Sequence, residues 1–140
     1  MNLEPYIAVS GQSGLFELVN SRGNGLVLKS LGDGKVKFYS VRKHQFTPLG
    51  TVAIYTLEGT TPLGEVFQTM YDKKGNKPPV SPKSEKHVIE EYVEFIIPDY
   101  DEDKVSFSDM KKLLKWFIFL EEKNLLKNKE SSDLAKSEEE

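Results

Sequence analysis

The chain of 140 residues is long enough for one domain or two very small ones, with a core that can bury roughly 70% of the unfolded surface. It contains no cysteine, which excludes disulfides, thiolate zinc sites and cysteine nucleophiles together. The net charge of −3 hides an asymmetry: residues 1–83 carry ten Lys/Arg against six Asp/Glu (+4), residues 84–126 six against eleven (−5), and residues 127–140 three against five (−2). The opening MNLEPYIAVSGQ lacks the basic and apolar regions of a signal peptide. The longest apolar run, Trp116 to Leu120, falls far short of the roughly 20 residues that span a bilayer. A soluble cytoplasmic protein without a membrane segment is the expectation.

Residues 6–57 read as short strands separated by glycine turns. Tyr6–Val9 and Leu15–Val19 flank GQSG, Leu26–Leu31 follows SRGNG, Gly32-Asp33-Gly34 leads into Lys35–Val41, and Thr51–Leu57 completes the set. Asn-Gly and Asp-Gly suit tight hairpins because they tolerate positive φ. Five strands about ten residues apart predict an antiparallel SH3-like β-barrel over 3–58 rather than a βαβ unit. Along one strand Val36 and Phe38 face one side while Lys35, Lys37 and Tyr39 face the other. Val52 and Ile54 alternate in the same way with Ala53 and Tyr55.

A helical region is predicted over 59–126. Thr61-Pro62 signals a helix over 62–74 whose stripe is Leu63, Val66, Phe67, Met70 and Tyr71, closed by Lys73, Lys74 and Gly75. Residues 75–81 form a proline-stiffened linker, and Ser81-Pro82 opens a second helix, 82–97, with Val88, Ile89, Tyr92, Val93 and Ile96 on one face and Pro98 as its stop. The third, 108–126, takes Ser108 as cap and Asp109 in its first turn. Its stripe of Met110, Leu113, Leu114 and Phe117 is widened by Trp116, Ile118, Phe119 and Leu120 until it nearly encircles the helix, which marks it as the central packing element. The remaining 127–140, KNKESSDLAKSEEE, reads as a disordered charged tail. The overall class is therefore α+β.

The segments SGQSGLFELV, NGLVLKSLGDGK, VAIYT, PLGEVF and PDYDEDKVSFSDMKKLLKWF, in this order over residues 5–126, resemble an uncharacterised family of the Bacteroidetes made of adjacent domains of unknown function. The resemblance implies a small cytoplasmic bacterial protein. It carries over no active site, substrate or partner.

Motifs of catalysis are weak. DYDED (Asp99 to Asp103) begins like an EF-hand loop, but Lys104 and Met110 stand where the loop needs glycine and glutamate. The glycine pairs Gly11/Gly14, Gly23/Gly25 and Gly32/Gly34 lie between strands, without the spacing of a phosphate loop or a nucleophile elbow. His44 sits in a basic loop with no nearby carboxylate, and His87 opens a helix flanked by Lys86 and Glu85; neither has a nucleophile at recognisable spacing. No metal, cofactor or small-molecule substrate is inferred, and a non-enzyme is expected.

The best candidate is a basic and aromatic face of Lys35, Lys37 and Tyr39 running into Arg42, Lys43 and His44, where cations meet phosphates and a ring meets a base. The plainer alternative is an edge strand whose lysines discourage aggregation, with Tyr39 covering the core margin. The pair of helices joined by an extended loop offers Lys111, Lys112 and Lys115 as further nucleic-acid contacts, against the acidity of that half. Phe119, with Trp116 beside it, points away from the main stripe and is a candidate contact for a protein partner or a second copy. The expected role is a non-catalytic binding or adaptor module with a protein partner, and RNA or ribonucleoprotein as the alternative.

Overall fold

The computed structural model describes residues 1–126; the charged tail expected at 127–140 lies outside the described residues. The chain forms two compact units, one of Leu3–Val52 and one of Met1–Asn2 with the chain from Ala53 onward. Together they hold a five-stranded antiparallel sheet, a two-stranded hairpin and three helices, an α+β fold.

The first unit is the sheet. Its strands β1 (Tyr6–Val9), β2 (Phe16–Arg22), β3 (Gly25–Ser30), β4 (Val36–Ser40) and β5 (Phe46–Pro48) lie in the order β4-β3-β2-β1-β5. Ile7, Val9, Phe16 and Leu28 form its core, margined by Leu26, Tyr39 and Phe46. Gly34, at φ +78°, makes the β3–β4 turn, where Ser30 and Asp33 also take up backbone N–H groups. No ladder joins β4 to β5 among the described residues, so the expected closed barrel is not found. The edge strand β5 has only three residues and runs through Pro48, whose ring removes a backbone donor, into a single 3₁₀ turn at Leu49–Thr51.

The strand expected to complete this sheet, Thr51–Leu57, belongs elsewhere. Ala53–Thr56 (β6) pairs antiparallel with Gly59–Pro62 (β7) in the second unit. The sheet unit accordingly stops at Val52 rather than at 58. The sequence alternation in Val52–Tyr55 is real, with Ile54 buried and Ala53 and Tyr55 exposed, but a hairpin and a sheet edge produce the same alternation.

Helices α1 (Leu63–Lys73), α2 (Lys86–Ile96) and α3 (Phe107–Glu122) share the core of the second unit. Leu63, Val66, Phe67 and Met70 of α1, Ile89, Tyr92, Val93 and Ile96 of α2, and Met110, Leu113, Leu114, Phe117 and Leu120 of α3 are buried in it. The Phe67 and Phe117 rings pack edge to face with centroids 5.4 Å apart. Each starting signal is displaced. Thr61 lies within β7, and Pro62, the last residue of that strand, precedes α1 without a side-chain cap. Ser81 closes a local turn by accepting the Lys83 N–H, so α2 begins four residues beyond Pro82. Ser106, not Ser108, caps α3: its Oγ accepts the Asp109 N–H while the Asp109 carboxylate accepts the Ser106 N–H, each at 3.1 Å. That reciprocal capping box outcompetes Ser108 because it satisfies two orphan donors at once. The DYDED segment edges the hairpin: Leu57 N–H donates to Asp99 O and Asp101 N–H to Tyr55 O, with Tyr100 buried between. No helix among the described residues is long and apolar enough to cross a membrane.

Candidate binding face on the front sheet

Strand β4 decides what the front sheet shows to solvent. Its register with β3 pairs Lys37 with Leu28 and Tyr39 with Leu26, while Phe38 pairs with Val27 and Val36 with Lys29. Leu28 is wholly buried, so the face shared by Lys35, Lys37 and Tyr39 is the core face of the sheet. Val36 and Phe38 occupy the opposite face and are 53% and 44% exposed. The alternation in the sequence is kept, and its apolar side is the wet one.

The candidate residues divide accordingly. Tyr39 is half-buried, its ring edge-on to Phe16 at 5.4 Å and to His44 at 5.3 Å, which places it at the core margin rather than on a free stacking platform. The His44 Nδ1 lies 3.4 Å from the Ser10 carbonyl oxygen. Lys35 and Lys37 are exposed because β4 is the last strand of the sheet, and Arg42 and Lys43 are exposed in the following turn. The four cations and the two rings therefore do not form one stripe: the cations edge the sheet and the rings close its core.

The outer face was not legible as a site. Arg22, Asn24, Val27, Val36, Lys37 and Phe38 line a shallow depression of about 520 Å³. Phe38 leans over Gly25, where a Cβ would sit 2.7 Å from the ring's Cζ and would collide with the Tyr39 carbonyl oxygen. Glycine is thus required at Gly25 by close approach. A register shift between Leu18 and Asn20 makes Val19 an extra residue in β2; Leu18, opposite Leu28 on the other face, and Val19 are both left largely exposed. Residues 22–43 carry six Lys/Arg and one acid, Asp33. The Asp33 carboxylate accepts the Lys35 N–H at 2.9 Å, and this bond first, then Ser30 and the charges of Lys35 and Lys37, hold its pKa below the usual carboxylate value.

The second unit offers less. Trp116 and Phe119 are each half-buried on α3, so the expected outward anchor is partly covered. Phe95 is exposed, but Lys73 and Lys77 each place an ammonium 4.9 Å from its ring centroid. A recess of about 390 Å³ includes Lys86, Glu90, Glu102 and Asp103 in its lining. Tyr100 lies there too, its hydroxyl pKa pushed up by burial and then by Glu102, Glu90 and Glu94. His87 is exposed, 3.4 Å from the Glu85 carboxylate. Among the described residues no group of three or more His, Cys, Asp or Glu side chains is placed to hold a metal ion.

Residues 3–49 match the family model described as Domain of unknown function (DUF5606), and residues 52–120 match Domain of unknown function (DUF6852). The chain belongs to the family built from these two adjacent domains. Their junction falls where the sheet unit ends and the hairpin begins. A solution NMR structure from Bacteroides vulgatus, a structural-genomics target, is similar at a TM-score of 0.74 and 23% identity over 90% of each chain, a likeness of fold. No curated protein matches the sequence.

Proposed function

We propose that this family member is a non-catalytic, cytoplasmic binding module whose front sheet engages a protein partner through the outer face of the β3–β4 hairpin. One observation carries the reading: Val36 and Phe38 stand exposed beside Val27 on a depression bordered by Arg22 and Lys37. Exposed apolar side chains with polar and cationic groups at their border are the composition of an interface centre with a polar rim. The cysteine-free sequence agrees with a reducing compartment. The SH3-like reading of the sheet belongs to the same proposal: β5 returns to pair antiparallel with β1, which supports a small barrel-like wrap even though the two edges do not meet.

The test is site-specific photo-crosslinking of the full chain in its own cell, with a photoreactive phenylalanine analogue at Phe38 or, as control, at the exposed Glu91 of α2. A discrete protein adduct from position 38 that is absent from position 91 and survives ribonuclease is the expected result. Equal adducts from both positions, or none from position 38, overturn the reading.

The excess of cations over residues 22–43 favours a second reading, RNA. Retention on a fluorescent RNA oligonucleotide at two salt concentrations, with and without Lys35, Lys37 and Arg42 changed to Ala, separates them. Salt-sensitive binding lost in the variant supports RNA; no binding at low salt ends it.

A further inference from the structure

Strand β4 has one paired edge. Ser30 N–H donates to Lys35 O at 2.8 Å and Val41 N–H to Asn24 O at 3.0 Å, fixing which residues of the strand turn their backbone toward β3. With the register Leu28↔Lys37 and Leu26↔Tyr39, the backbone groups of Lys35, Lys37, Tyr39 and Val41 point to β3. Those of Val36 and Phe38 point out of the sheet, where the strand order places no neighbour among the described residues. The Ser40 carbonyl is already taken by the N–H groups of Lys43 and His44, which ends the open stretch. Among the described residues, two N–H donors and two carbonyl acceptors, spaced for one more strand, therefore remain open along Val36–Phe38.

We infer that this edge accepts an extended acidic segment of a protein partner as an added sixth strand; the inference rests on the binding-module reading and names its occupant. The side chains fix the chemistry. On one face an added strand lies beside Lys35 and Lys37, and on the other beside Val36 and Phe38. Since side chains alternate along a strand, the fitting segment alternates acidic and apolar residues, its acids toward the lysines. Asp33, the one acid of residues 22–43, is held in its own turn and is outnumbered there by six cations. A second copy is a poor occupant, because β4 laid on β4 brings the lysines of both strands onto a shared face. The charges that keep copies apart admit an acidic strand.

Three labelled peptides of about eight residues test this on the full chain by fluorescence anisotropy: one alternating glutamate and valine, one alternating lysine and valine, and the glutamate peptide N-methylated on alternate backbone amides along the edge meant to pair. The expected result is binding of the glutamate peptide alone, weakened roughly tenfold or more by N-methylation, with the Val36 and Phe38 amides slowed in hydrogen exchange. In Lys35→Glu/Lys37→Glu, whose exposed side chains leave the core untouched, the preference should switch to the lysine peptide. Equal binding of the N-methylated peptide, unchanged exchange at Val36 and Phe38, or no switch overturns strand addition. A specific crosslink from Phe38 with no peptide binding overturns this inference and leaves the binding module standing. RNA binding that shifts Lys37 while Val36 and Phe38 exchange as in the free chain also overturns it, in favour of a polyanion.

Discussion

The two units treat most of their apolar side chains in opposite ways, with Leu57 of the hairpin, 74% exposed, the exception on the helical side. In the helical unit the stripes predicted from spacing are largely dry: Phe67, Met70, Ile89, Leu114, Phe117 and Leu120 are fully buried, while Tyr71 and Val88 at the stripe margins are half-buried. The exposed rings of that unit are shielded, Phe95 by Lys73 and Lys77 and Tyr55 by Lys104 at 5.2 Å. In the sheet unit Leu18, Val19, Val36, Phe38 and Val41 are exposed, and no cation lies over Phe38 among the described residues. A small sheet can bury one face with its own strands; the other stays wet unless something covers it. The helical unit reads as a finished core and the sheet unit as a surface awaiting company.

Breaking that contrast should cost most where the core is closed. Phe117→Ala removes a fully buried ring packed on Phe67, and a loss of about 3–5 kcal/mol in unfolding free energy is expected from urea titration. A loss below about 1 kcal/mol would mean the α3 face is not closed. Next comes Gly25→Ala, which forces a methyl against the Tyr39 carbonyl and the Phe38 ring. About 1–3 kcal/mol is expected, and the displaced ring should also weaken whatever binds the outer face. Ser106→Ala follows at about 1 kcal/mol, since it opens the capping box of α3. Ser108→Ala should be near neutral in the same titration, and the reverse ranking would return the cap to Ser108.

Periodicity exposed the helices because a 3.6-residue stripe can be buried on one side only. The five buried positions of α3 follow from Met110, Leu113, Leu114, Phe117 and Leu120 alone. Strand alternation carries no such sign. The segment from Lys35 to Tyr39 states that lysines and valine-phenylalanine face apart, not which side meets the core. Leu28 and Phe16, distant in sequence, decide that by packing against Tyr39. The lysines are exposed all the same, for a reason alternation cannot encode: they stand on the last strand. Pairing partners were equally hidden, since Ala53–Thr56 alternates correctly for either the sheet or the hairpin it joins. For Tyr39 the sequence supports two readings, a base platform among cations or cover for the core margin; composition cannot choose between them, and the register places the ring inward at the margin.

The smallest expected effect sharpens the comparison from the dry side. Tyr92 is almost wholly buried, and its hydroxyl oxygen has no hydrogen-bond partner among the described residues. Tyr92→Phe should therefore hold or raise stability at neutral pH, by less than about 1 kcal/mol. Burial, and then the charge of Glu121, push the Tyr92 pKa well above its ordinary value of 10.0. The folded chain keeps the phenol proton where the unfolded chain releases it, so above that ordinary value the fold binds more protons and stability falls as pH rises. The slope from one such group is about 1.4 kcal/mol per pH unit. Tyr6 and Tyr100 shift in the same direction, so the wild type loses stability through several phenols at once. Urea midpoints at about pH 8 and about pH 11 should show Tyr92→Phe losing less than the wild type between them. An equal loss would mean that water reaches this hydroxyl, and the helical unit would then be no drier than the sheet.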